Sequence, residues 1–366
     1  QSEDDRFYIG TTKFNGIIEN LLKLGRFSNI QLTVNNFLKL TISLVILWLG
    51  SYLVMTDSMT LGSLLAFNAL TIYYLDPIER LINIQPTLQS SFVAARRIAE
   101  ITDLETETEL YTSKQPYTFK NNIRIENVNF QYGFRRVVLK DINLNIKKGQ
   151  KVAIVGESGS GKSTIGKLLN RYYTASEGNI MIDNYIIDDI DLSDLRKNIG
   201  YVSQNTFLFA DTIKNNLLHG SNKYKSDEDI VKACQLAESL DFIQKFPDQF
   251  NTMLEKEGAN LSGGQGQRLS LARTFLKDPD IYIFDEATSA LDSLTENKIM
   301  EHIDLLTQHG KTVIIISHKL STIKNADNIY VLNEGQIAEN GTHDELIHLN
   351  GIYKNLWQLQ KIGRAS

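Results

Sequence analysis

The sequence lacks several features that mark whole classes of protein. Cys234 is the only cysteine among 366 residues, which excludes an internal disulfide framework and a cysteine-rich metal site. Positive charge is not in excess, because 38 Lys and Arg stand against 43 Asp and Glu and leave a formal net charge of −5. A nucleic-acid binder usually carries a basic surface, so we expect no nucleic-acid partner. Low-complexity disorder is also excluded, because 15 Tyr and 16 Phe can build a core.

Two segments lack charge altogether. Residues 40–56 and 58–75 contain no Asp, Glu, Lys or Arg, although Asn68 and Thr71 interrupt the second run. The hydrocarbon core of a bilayer takes about 20 residues of helix, and about 17 can be enough. We therefore predict spanning helices over about residues 37–55 and 61–82. The alternative is two buried helices of a soluble domain, and the short connection between the runs favours spanning.

The charges beside these runs predict an orientation. The connection 55–60 has no Lys or Arg, whereas basic residues flank both runs on their outer sides: Lys13, Lys23, Arg26, Lys39, Arg80, Arg96 and Arg97. The positive-inside tendency places both ends in the cytoplasm. Because the chain begins with Gln1 and shows no secretory signal, we expect a fragment of a longer protein, with further helices supplied upstream or by a second subunit.

A change of composition predicts a domain boundary. The acidic, polar stretch 103–109 and the following Lys114–Pro116 are typical of a linker. We assign residues 1–104 to an all-α membrane part, 105–120 to the linker and 121–366 to a second domain. In that domain strand-like runs alternate with helical stretches, at 123–130, 139–146, 151–155, 281–284 and 312–316. The pattern predicts an α/β domain with a parallel core and an antiparallel edge.

A phosphate-binding loop follows the run at 151–155. The segment fits the pattern G-x-x-x-x-G-K-[ST] between a strand and a helix, and its residues are Gly156, Glu157, Ser158, Gly159, Ser160, Gly161, Lys162, Ser163 and Thr164. Backbone N–H groups and the start of a helix would face the phosphates. We expect Lys162 to reach the β- and γ-phosphates and Ser163 to bind Mg²⁺. The alternative is a glycine-rich turn with a chance Lys-Ser pair.

Two acidic residues end the apolar run at 281–284. Asp285 is predicted to hold Mg²⁺, directly or through water, and Glu286 to polarise the attacking water. Two acids at the end of a strand are usually a solvated turn. The phosphate-binding loop elsewhere in the chain favours the catalytic interpretation.

The order of the motifs resembles a known family. Leu261-Ser-Gly-Gly-Gln265 precedes a helix, where Ser262 can act as N-cap or the backbone can bind phosphate. The phosphate-binding loop, this segment, the Asp-Glu pair, Ser289–Asp292 and Ser317-His318 appear in that order. Over about residues 121–360 the chain resembles the nucleotide-binding domain of ATP-binding cassette (ABC) transporters, which implies a P-loop NTPase fold.

The resemblance implies roles for individual residues. Tyr132 would stack on adenine, Gln204 would touch Mg²⁺ and the water, and His318 would contact the γ-phosphate. Glu286, Gln204 and His318 would be the catalytic residues. Asp292 would lie at a dimer interface. Each ATP would be held between the loop of one copy and the signature segment of the other, formed by Ser262, Gly263, Gly264 and Gln265. A head-to-tail homodimer with two ATP molecules follows.

The first 104 residues resemble the end of an ABC exporter's transmembrane domain. Fusion of a membrane part to an ATPase favours an exporter, and the chain looks most like bacterial bacteriocin or peptide exporters. We therefore expect a multi-pass protein of the bacterial plasma membrane, with membrane lipids and an exported peptide as partners. Two alternatives stay open: an exporter of lipids or small drugs, and a soluble ABC ATPase. The charge-free runs argue against the soluble form, and nothing in the sequence separates the substrates.

Overall fold

We describe the protein from a computed structural model, which covers residues 2–104, 117–221 and 225–362. The chain forms two compact units, residues 1–105 and 106–366. The linker predicted over 105–120 lies outside the described residues up to position 116. Its last four residues are described, and Tyr117 and Phe119 are buried in a core of the second unit.

The first unit consists of two long helices, α1 (Ser2–Met55) and α2 (Leu61–Thr102). Thr60 begins α2, because its side chain accepts a hydrogen bond from the N–H of Ser63 at 3.2 Å. Both helices extend beyond the predicted spanning segments. α1 starts well before residue 37, and α2 continues through Pro77 and Pro86 past residue 82. The helices do not stop where the apolar runs stop, and α2 even includes two prolines, which are poor helix formers.

The two helices meet at small and polar residues. A Cβ on Gly50 would lie 1.9 Å from the Cδ1 atom of Leu64, so glycine permits a close approach of α1 to α2. The Oγ atom of Ser43 lies 3.1 Å from the Oδ1 atom of Asn68 and donates to it. Asn68 therefore has a hydrogen-bond partner on the neighbouring helix. Small residues and polar pairs of this kind are typical of packed helices in membranes.

Most of the apolar surface of this unit is exposed. The described part of the chain contains one stretch long and apolar enough to cross a membrane, Thr11–Met55, whose best 18-residue window has a mean hydropathy of 1.9. Only 6% of that window is buried. Leu61–Leu75 is a shorter apolar stretch. An apolar surface this extensive is what lipid or further helices would cover.

The second unit contains two sheets. A six-stranded sheet has the order β10-β9-β3-β8-β7-β6, and β9, β3, β8, β7 and β6 run parallel while β10 is antiparallel at the edge. A four-stranded antiparallel sheet has the order β2-β1-β4-β5. The α/β fold with a parallel core and an antiparallel edge is thus confirmed. The strands are β1 (Asn122–Gln131), β2 (Val137–Lys147), β3 (Lys151–Gly156), β4 (Glu177–Ile182), β5 (Tyr185–Ile186), β6 (Ile199–Val202), β7 (Ile281–Asp285), β8 (Thr312–Ile316), β9 (Asn328–Asn333) and β10 (Gln336–Gly341).

Helices connect these strands. They are α3 (Lys162–Leu169), α4 (Leu192–Asn198), α5 (Ile213–Leu218), α6 (Asp227–Leu236), α7 (Leu240–Ile243), α8 (Gly263–Lys277), α9 (Ser293–Gln308), α10 (His343–His348) and α11 (Ile352–Ile362).

The central strands are buried on both faces. Every residue of β3, β7 and β8 is buried, and along β3 Val152 and Ile154 join one core while Ala153 and Val155 join the other. Burial on both faces explains why these strands are continuous apolar runs rather than alternating ones. Because β3, β7 and β8 are parallel neighbours, their carboxyl ends meet at one edge of the sheet. The residues that follow those strands are therefore brought together there.

Asp183 holds the chain where it enters the second unit. Its carboxylate accepts hydrogen bonds from the Tyr117 hydroxyl at 2.9 Å and from three consecutive backbone N–H groups, those of Lys120, Asn121 and Asn122. Burial alone would raise the pKa of this carboxyl. The hydrogen bonds outweigh burial, and the pKa of Asp183 lies below its ordinary value.

Candidate active site

A cleft with a volume of about 620 Å³ opens at the carboxyl edge of the parallel strands. Every lining residue except Val138 is a site residue predicted from the sequence. The cleft is lined by Tyr132, Val138, Ser158, Gly159, Gly161, Lys162, Ser163, Thr164, Gln204, Glu286 and His318. The structure therefore brings together residues from five separate segments of the chain.

The phosphate-binding loop joins the buried strand β3 to α3. Gly161 adopts a φ of 104°, and a Cβ there would lie 2.7 Å from the Cδ2 atom of Leu139, so both backbone and space require glycine. Ser160 is buried beneath the loop, and its hydroxyl has no hydrogen-bond partner among the described residues. Lys162, Ser163 and Thr164 form the first turn of α3 and line the cleft. A helix start at this position favours a bound anion.

Lys162 is folded against its own loop. Its Nζ atom donates to the carbonyl oxygens of Gly156 at 3.0 Å and Glu157 at 2.7 Å, and the residue is 6% exposed. Burial lowers the pKa of its ammonium group, and the nearby carboxylates of Glu286 and Asp285 oppose that effect. A buried ammonium group next to a phosphate-binding loop can neutralise phosphate charge.

Asp285 lies beneath the cleft and is 2% exposed. Its Oδ1 atom accepts from the Ser163 hydroxyl and its Oδ2 atom from the Tyr201 hydroxyl, both at 2.8 Å. Burial raises the pKa of the Asp285 carboxyl, and these two hydrogen bonds counteract the effect. The carboxylate is thus fixed between α3 and β6.

Tyr201 is a site residue that the motifs did not identify. β6 pairs in parallel with β7, which sets Tyr201 opposite Ile283 and brings its hydroxyl to Asp285. The signal in the sequence was a hydroxyl-bearing aromatic in a short apolar run just before Gln204. That signal does not reveal which strand lies beside β7, so the contact could not be predicted.

The oxygen atoms of Ser163 and Asp285 fit a magnesium ion. Among the described residues no group of three or more His, Cys, Asp or Glu side chains could hold a metal by itself. Mg²⁺ is usually bound through one or two protein oxygens together with substrate phosphates, and a hydroxyl next to a carboxylate matches that pattern. The third predicted ligand, Gln204, instead donates its amide N–H to Glu286.

Glu286 is held between the other two predicted catalytic residues. The Nε2 atom of Gln204 donates to its Oε2 atom at 2.7 Å, and the Nδ1 atom of His318 lies 3.1 Å from its Oε1 atom. The backbone of Glu286 has a φ of 50°, and its N–H donates to the carbonyl of Ile316 at 2.9 Å. Three segments distant in sequence thus converge on one carboxylate next to the phosphate-binding loop.

Tyr132 also lines the cleft. Its hydroxyl lies 3.1 Å from the Oγ1 atom of Thr164, within hydrogen-bond distance. Phe130 and Tyr173 contact its ring edge-to-face, with centroids 4.8 and 4.9 Å away. The ring is therefore fixed in place, and a planar base can stack on it.

The signature segment does not reach this cleft. None of the described lining residues comes from Ser262, Gly263, Gly264 or Gln265. These residues begin the long helix α8 with a capping box, in which Ser262 and Gln265 each bond the other's backbone N–H. A Cβ on Gly264 would lie 2.9 Å from the carbonyl oxygen of Ala290, so only glycine permits this approach.

Gln267 links the signature helix to the segment that follows Glu286. It is 4% exposed, its Nε2 atom donates to the Ser289 hydroxyl at 3.0 Å, and its Oε1 atom accepts from the N–H of Ala290 at 2.9 Å. Asp292, at the end of that segment, caps α9 by accepting from the N–H groups of Leu294 and Thr295. The pKa of Asp292 lies below its ordinary value, mainly because its carboxylate accepts the hydrogen bond from the backbone N–H of Thr295. Neither Asp292 nor Gln267 lines the cleft.

Comparison with known proteins supports both regions. Residues 139–289 match the family described as ABC transporter, and residues 11–78 match the ABC transporter transmembrane region. A solved structure of a bacterial Atm1-family ABC exporter with ATP bound superposes with a TM-score of 0.81 at 32% identity, covering 89% of this chain and 57% of that one.

Curated relatives are similar along nearly the whole chain. The lactococcin-G-processing and transport ATP-binding protein LagD of Lactococcus lactis is 40% identical over 348 residues, covering 94% of this chain and 49% of that protein. The pediocin PA-1 transport/processing ATP-binding protein PedD of Pediococcus acidilactici is 39% identical, covering 94% and 48%. The ATP-dependent lipid A-core flippase of Desulfotalea psychrophila is 41% identical, covering 86% and 55%. The chain spans about half the length of the curated relatives it matches.

Proposed function

The chain belongs to the ABC transporter family, and on that premise we propose that it is part of an exporter that hydrolyses ATP to move a peptide across the bacterial plasma membrane. One observation carries the proposal: Glu286 is held by Gln204 and His318 at a cleft that the phosphate-binding loop also lines. Within one cleft the arrangement provides Glu286 as a base, the phosphate-binding loop as a phosphate site and Lys162 as a positive charge. These are the parts that ATP hydrolysis needs.

ATP would bind with its triphosphate over the loop and its adenine on Tyr132. The N–H groups of the loop and of the first turn of α3 would hold the phosphates, and Lys162 would neutralise their charge. When bound by Ser163 and Asp285, Mg²⁺ would supply further positive charge to the β- and γ-phosphates. The braced ring of Tyr132 would set the position of the base.

Glu286 would act on the attacking water. Its carboxylate would accept a hydrogen bond from the water and take up a proton as the water oxygen bonds to the γ-phosphorus, while the bond from that phosphorus to the bridging oxygen breaks and ADP leaves. Gln204 would orient the carboxylate, and His318 would hold it from the other side while facing the γ-phosphate. The geometry supports this division of roles, because Gln204 contacts one carboxylate oxygen of Glu286 and His318 contacts the other.

We propose that the active form is a head-to-tail dimer of two copies. The start of α8 carries an exposed helix terminus with two glycines, which suits phosphate, yet it lies outside the cleft of its own chain. A second copy would supply Ser262, Gly263 and Gly264 to close the site. The Atm1-family exporter that resembles this chain was solved with ATP bound, which supports a nucleotide in the assembly.

The relatives and the apolar helix α1 support proposals for the membrane part and for the substrate. The transmembrane match and the exposed apolar surface of α1 support a multi-pass membrane protein. The basic residues on the outer sides of the two apolar runs favour a cytoplasmic ATP-binding unit. Relatives named for lactococcin G and pediocin PA-1 transport favour a peptide substrate. The lipid A-core flippase relative supports a second candidate, the export of a lipid.

Transport assays with the full-length protein can separate the two substrates. The protein would be reconstituted in liposomes and supplied with ATP, Mg²⁺ and either labelled bacteriocin precursor peptides or a fluorescent lipid. We expect ATP-dependent uptake of peptide that is absent with Glu286→Gln. ATP-dependent lipid movement without peptide uptake would favour the flippase function. If the unmodified protein hydrolysed no ATP with either peptide or lipid, the proposal of ATP-driven export would be contradicted.

A further inference from the structure

One side chain outside the cleft holds the backbone on both sides of Lys319. Gln360 lies on the last helix, α11, and its Oε1 atom accepts a hydrogen bond from the N–H of Leu320 at 2.9 Å. Its Nε2 atom donates to the carbonyl of His318. A single amide group thus bridges the residue that faces Glu286 and the residue two positions later. No sequence motif marks Gln360 as a site residue.

The same segment is held from its other side by α9. The Nζ atom of Lys319 lies 3.0 Å from the Oε2 atom of Glu296, whose side chain is 6% exposed. The Thr288 hydroxyl donates to the other oxygen of Glu296 at 2.8 Å. The Ser317 hydroxyl accepts from the N–H of Lys319 at 2.9 Å. Residues 317–320 are therefore fixed between two helices.

The helix that carries Gln360 is itself anchored. Glu339 on β10 accepts from the N–H groups of Ile352 at 2.5 Å and Tyr353 at 3.0 Å, at the start of α11. Tyr353 is fully buried, and its hydroxyl lies 2.8 Å from the Nδ1 atom of His343. Gln360 therefore extends from a helix, α11, whose start is held in place, so its two hydrogen bonds can in turn hold the 318–320 backbone.

The His318 side chain depends on this backbone support. The side chain is 54% exposed. Among the described residues, the polar contact shown for its imidazole is the one with Glu286, at 3.1 Å. An exposed ring with so little packing of its own takes its position from the main chain that carries it. A displacement of about 1 Å in a catalytic group is enough to cost a large part of its effect.

We propose that Gln360 is a positioning residue for His318, and that α11 belongs to the hydrolytic machinery by holding the 318–320 backbone. The inference rests on the proposed ATP hydrolysis. Gln360 is not among the residues that line the cleft. It acts by keeping the imidazole within reach of Glu286 and of the γ-phosphate.

Three variants of the full-length protein test whether Gln360 positions His318. Gln360→Met removes both hydrogen bonds at similar size, and Gln360→Glu retains the acceptor for Leu320 but loses the donor to His318. Gln358→Met is the matched control, because Gln358 lies exposed on the same helix. For each variant we would measure kcat, ATP affinity in the Glu286→Gln background, the melting temperature, and hydrogen–deuterium exchange of the peptide that contains Leu320.

For Gln360→Met we expect kcat to fall about three- to tenfold, in keeping with the loss of one or two hydrogen bonds. ATP affinity should change by less than about twofold, because the nucleotide site is untouched. Exchange at Leu320 should accelerate, and the melting temperature should match that of Gln358→Met. Gln360→Glu should keep Leu320 protected and lie between the wild type and Gln360→Met in kcat.

Unchanged kcat and unchanged Leu320 exchange in Gln360→Met would overturn the proposal. A parallel fall of kcat, ATP affinity and melting temperature would also overturn it, because that result describes a stabilising helix rather than a positioning residue. Absence of hydrolysis in the unmodified protein would contradict the proposed function instead. In that case the exchange rate at Leu320 would still show whether Gln360 holds the 318–320 backbone.

Discussion

The Nδ1 atom of His318 lies 3.1 Å from the Oε1 atom of Glu286, although the two residues follow different strands. Glu286 follows β7 and His318 follows β8, and these strands pair in parallel with Asp285 opposite Ile316. The N–H of Glu286 extends this pairing by donating to Ile316. The contact between the two side chains is therefore a product of sheet register, and a shift of one residue would break it.

Replacement of Lys162 tests nucleotide binding. Lys162→Ala removes a buried ammonium group beside the phosphate-binding loop, and we expect ATP affinity to fall about 10- to 100-fold, as for the loss of charge-assisted hydrogen bonds. ATP binding and hydrolysis by the purified full-length variant are the measurements. Lys140→Ala, at an exposed position on β2, is the control. Hydrolysis near the wild-type rate would contradict the assignment of the loop.

Replacement of Glu286 tests the base. Glu286→Gln keeps the size of the side chain but replaces the carboxylate by a neutral amide, so hydrolysis should fall by about 10²–10⁴-fold, the usual range for a general base. ATP binding should persist, and the ATP-binding units should remain dimeric in ATP. Glu301→Gln, at an exposed position on α9, serves as the comparison. Undiminished hydrolysis would argue against the role of Glu286, and so would a variant that remains entirely monomeric when ATP is present.

A mixture of two inactive variants tests the shared site. Lys162→Ala in one copy and Ser262→Arg in the other place both lesions in one composite site of a mixed dimer and leave the second site intact. Each variant alone should be inactive, because Ser262→Arg puts a bulky side chain where a γ-phosphate contact is expected. Mixing should restore part of the ATPase activity. Full activity of Ser262→Arg alone at saturating ATP would rule out a contact between Ser262 and nucleotide in the partner.

Tyr201→Phe tests the support of Asp285. The change removes a hydroxyl that donates at 2.8 Å to a carboxylate 2% exposed. We expect the free energy of unfolding of the ATP-binding unit to fall by about 1.5–3 kcal/mol, the usual contribution of a hydrogen bond to a charged group. Denaturant unfolding is the measurement. Tyr185→Phe, on a half-exposed ring, should leave stability nearly unchanged, and equal losses in both variants would show that the Asp285 contact contributes little.

The Asp183 carboxylate predicts a dependence of stability on acid. Its pKa in the folded chain lies below the unfolded value of about 3.9, so its contribution is complete above about pH 4 and is lost as the pH falls through the folded pKa. Asp183→Asn should therefore lower stability at pH 7, by about 1–3 kcal/mol. The difference from the wild type should shrink toward pH 3. Unfolding curves between pH 7 and pH 3 measure it, and a constant difference would exclude titration of Asp183 as the cause.

Local patterns in the sequence were enough for several elements. The apolar runs at 151–155, 281–284 and 312–316 are buried parallel strands, and the loop with Gly161 and Lys162 lies where the motif predicts. These features are local, because a run of apolar residues or a loop motif is set by neighbours along the chain. Strands β4, β5, β6, β9 and β10 were not predicted, and the shortest of them, β5 and β6, give the weakest signals.

What the sequence determined by itself is the chemistry available to the protein. The phosphate-binding loop, the acids at the end of β7 and the apolar helices are recognised from residue types at fixed spacings, whereas the roles of Gln204 and His318 are implied by the resemblance to the ABC family. The tertiary structure alone decided which of them meet: Tyr201 reaches Asp285, Gln267 joins α8 to Ala290, and Gln360 holds the backbone of His318. The physical reason is that strand order and helix packing depend on contacts between residues far apart in the chain. Such contacts leave no periodic pattern in any one segment.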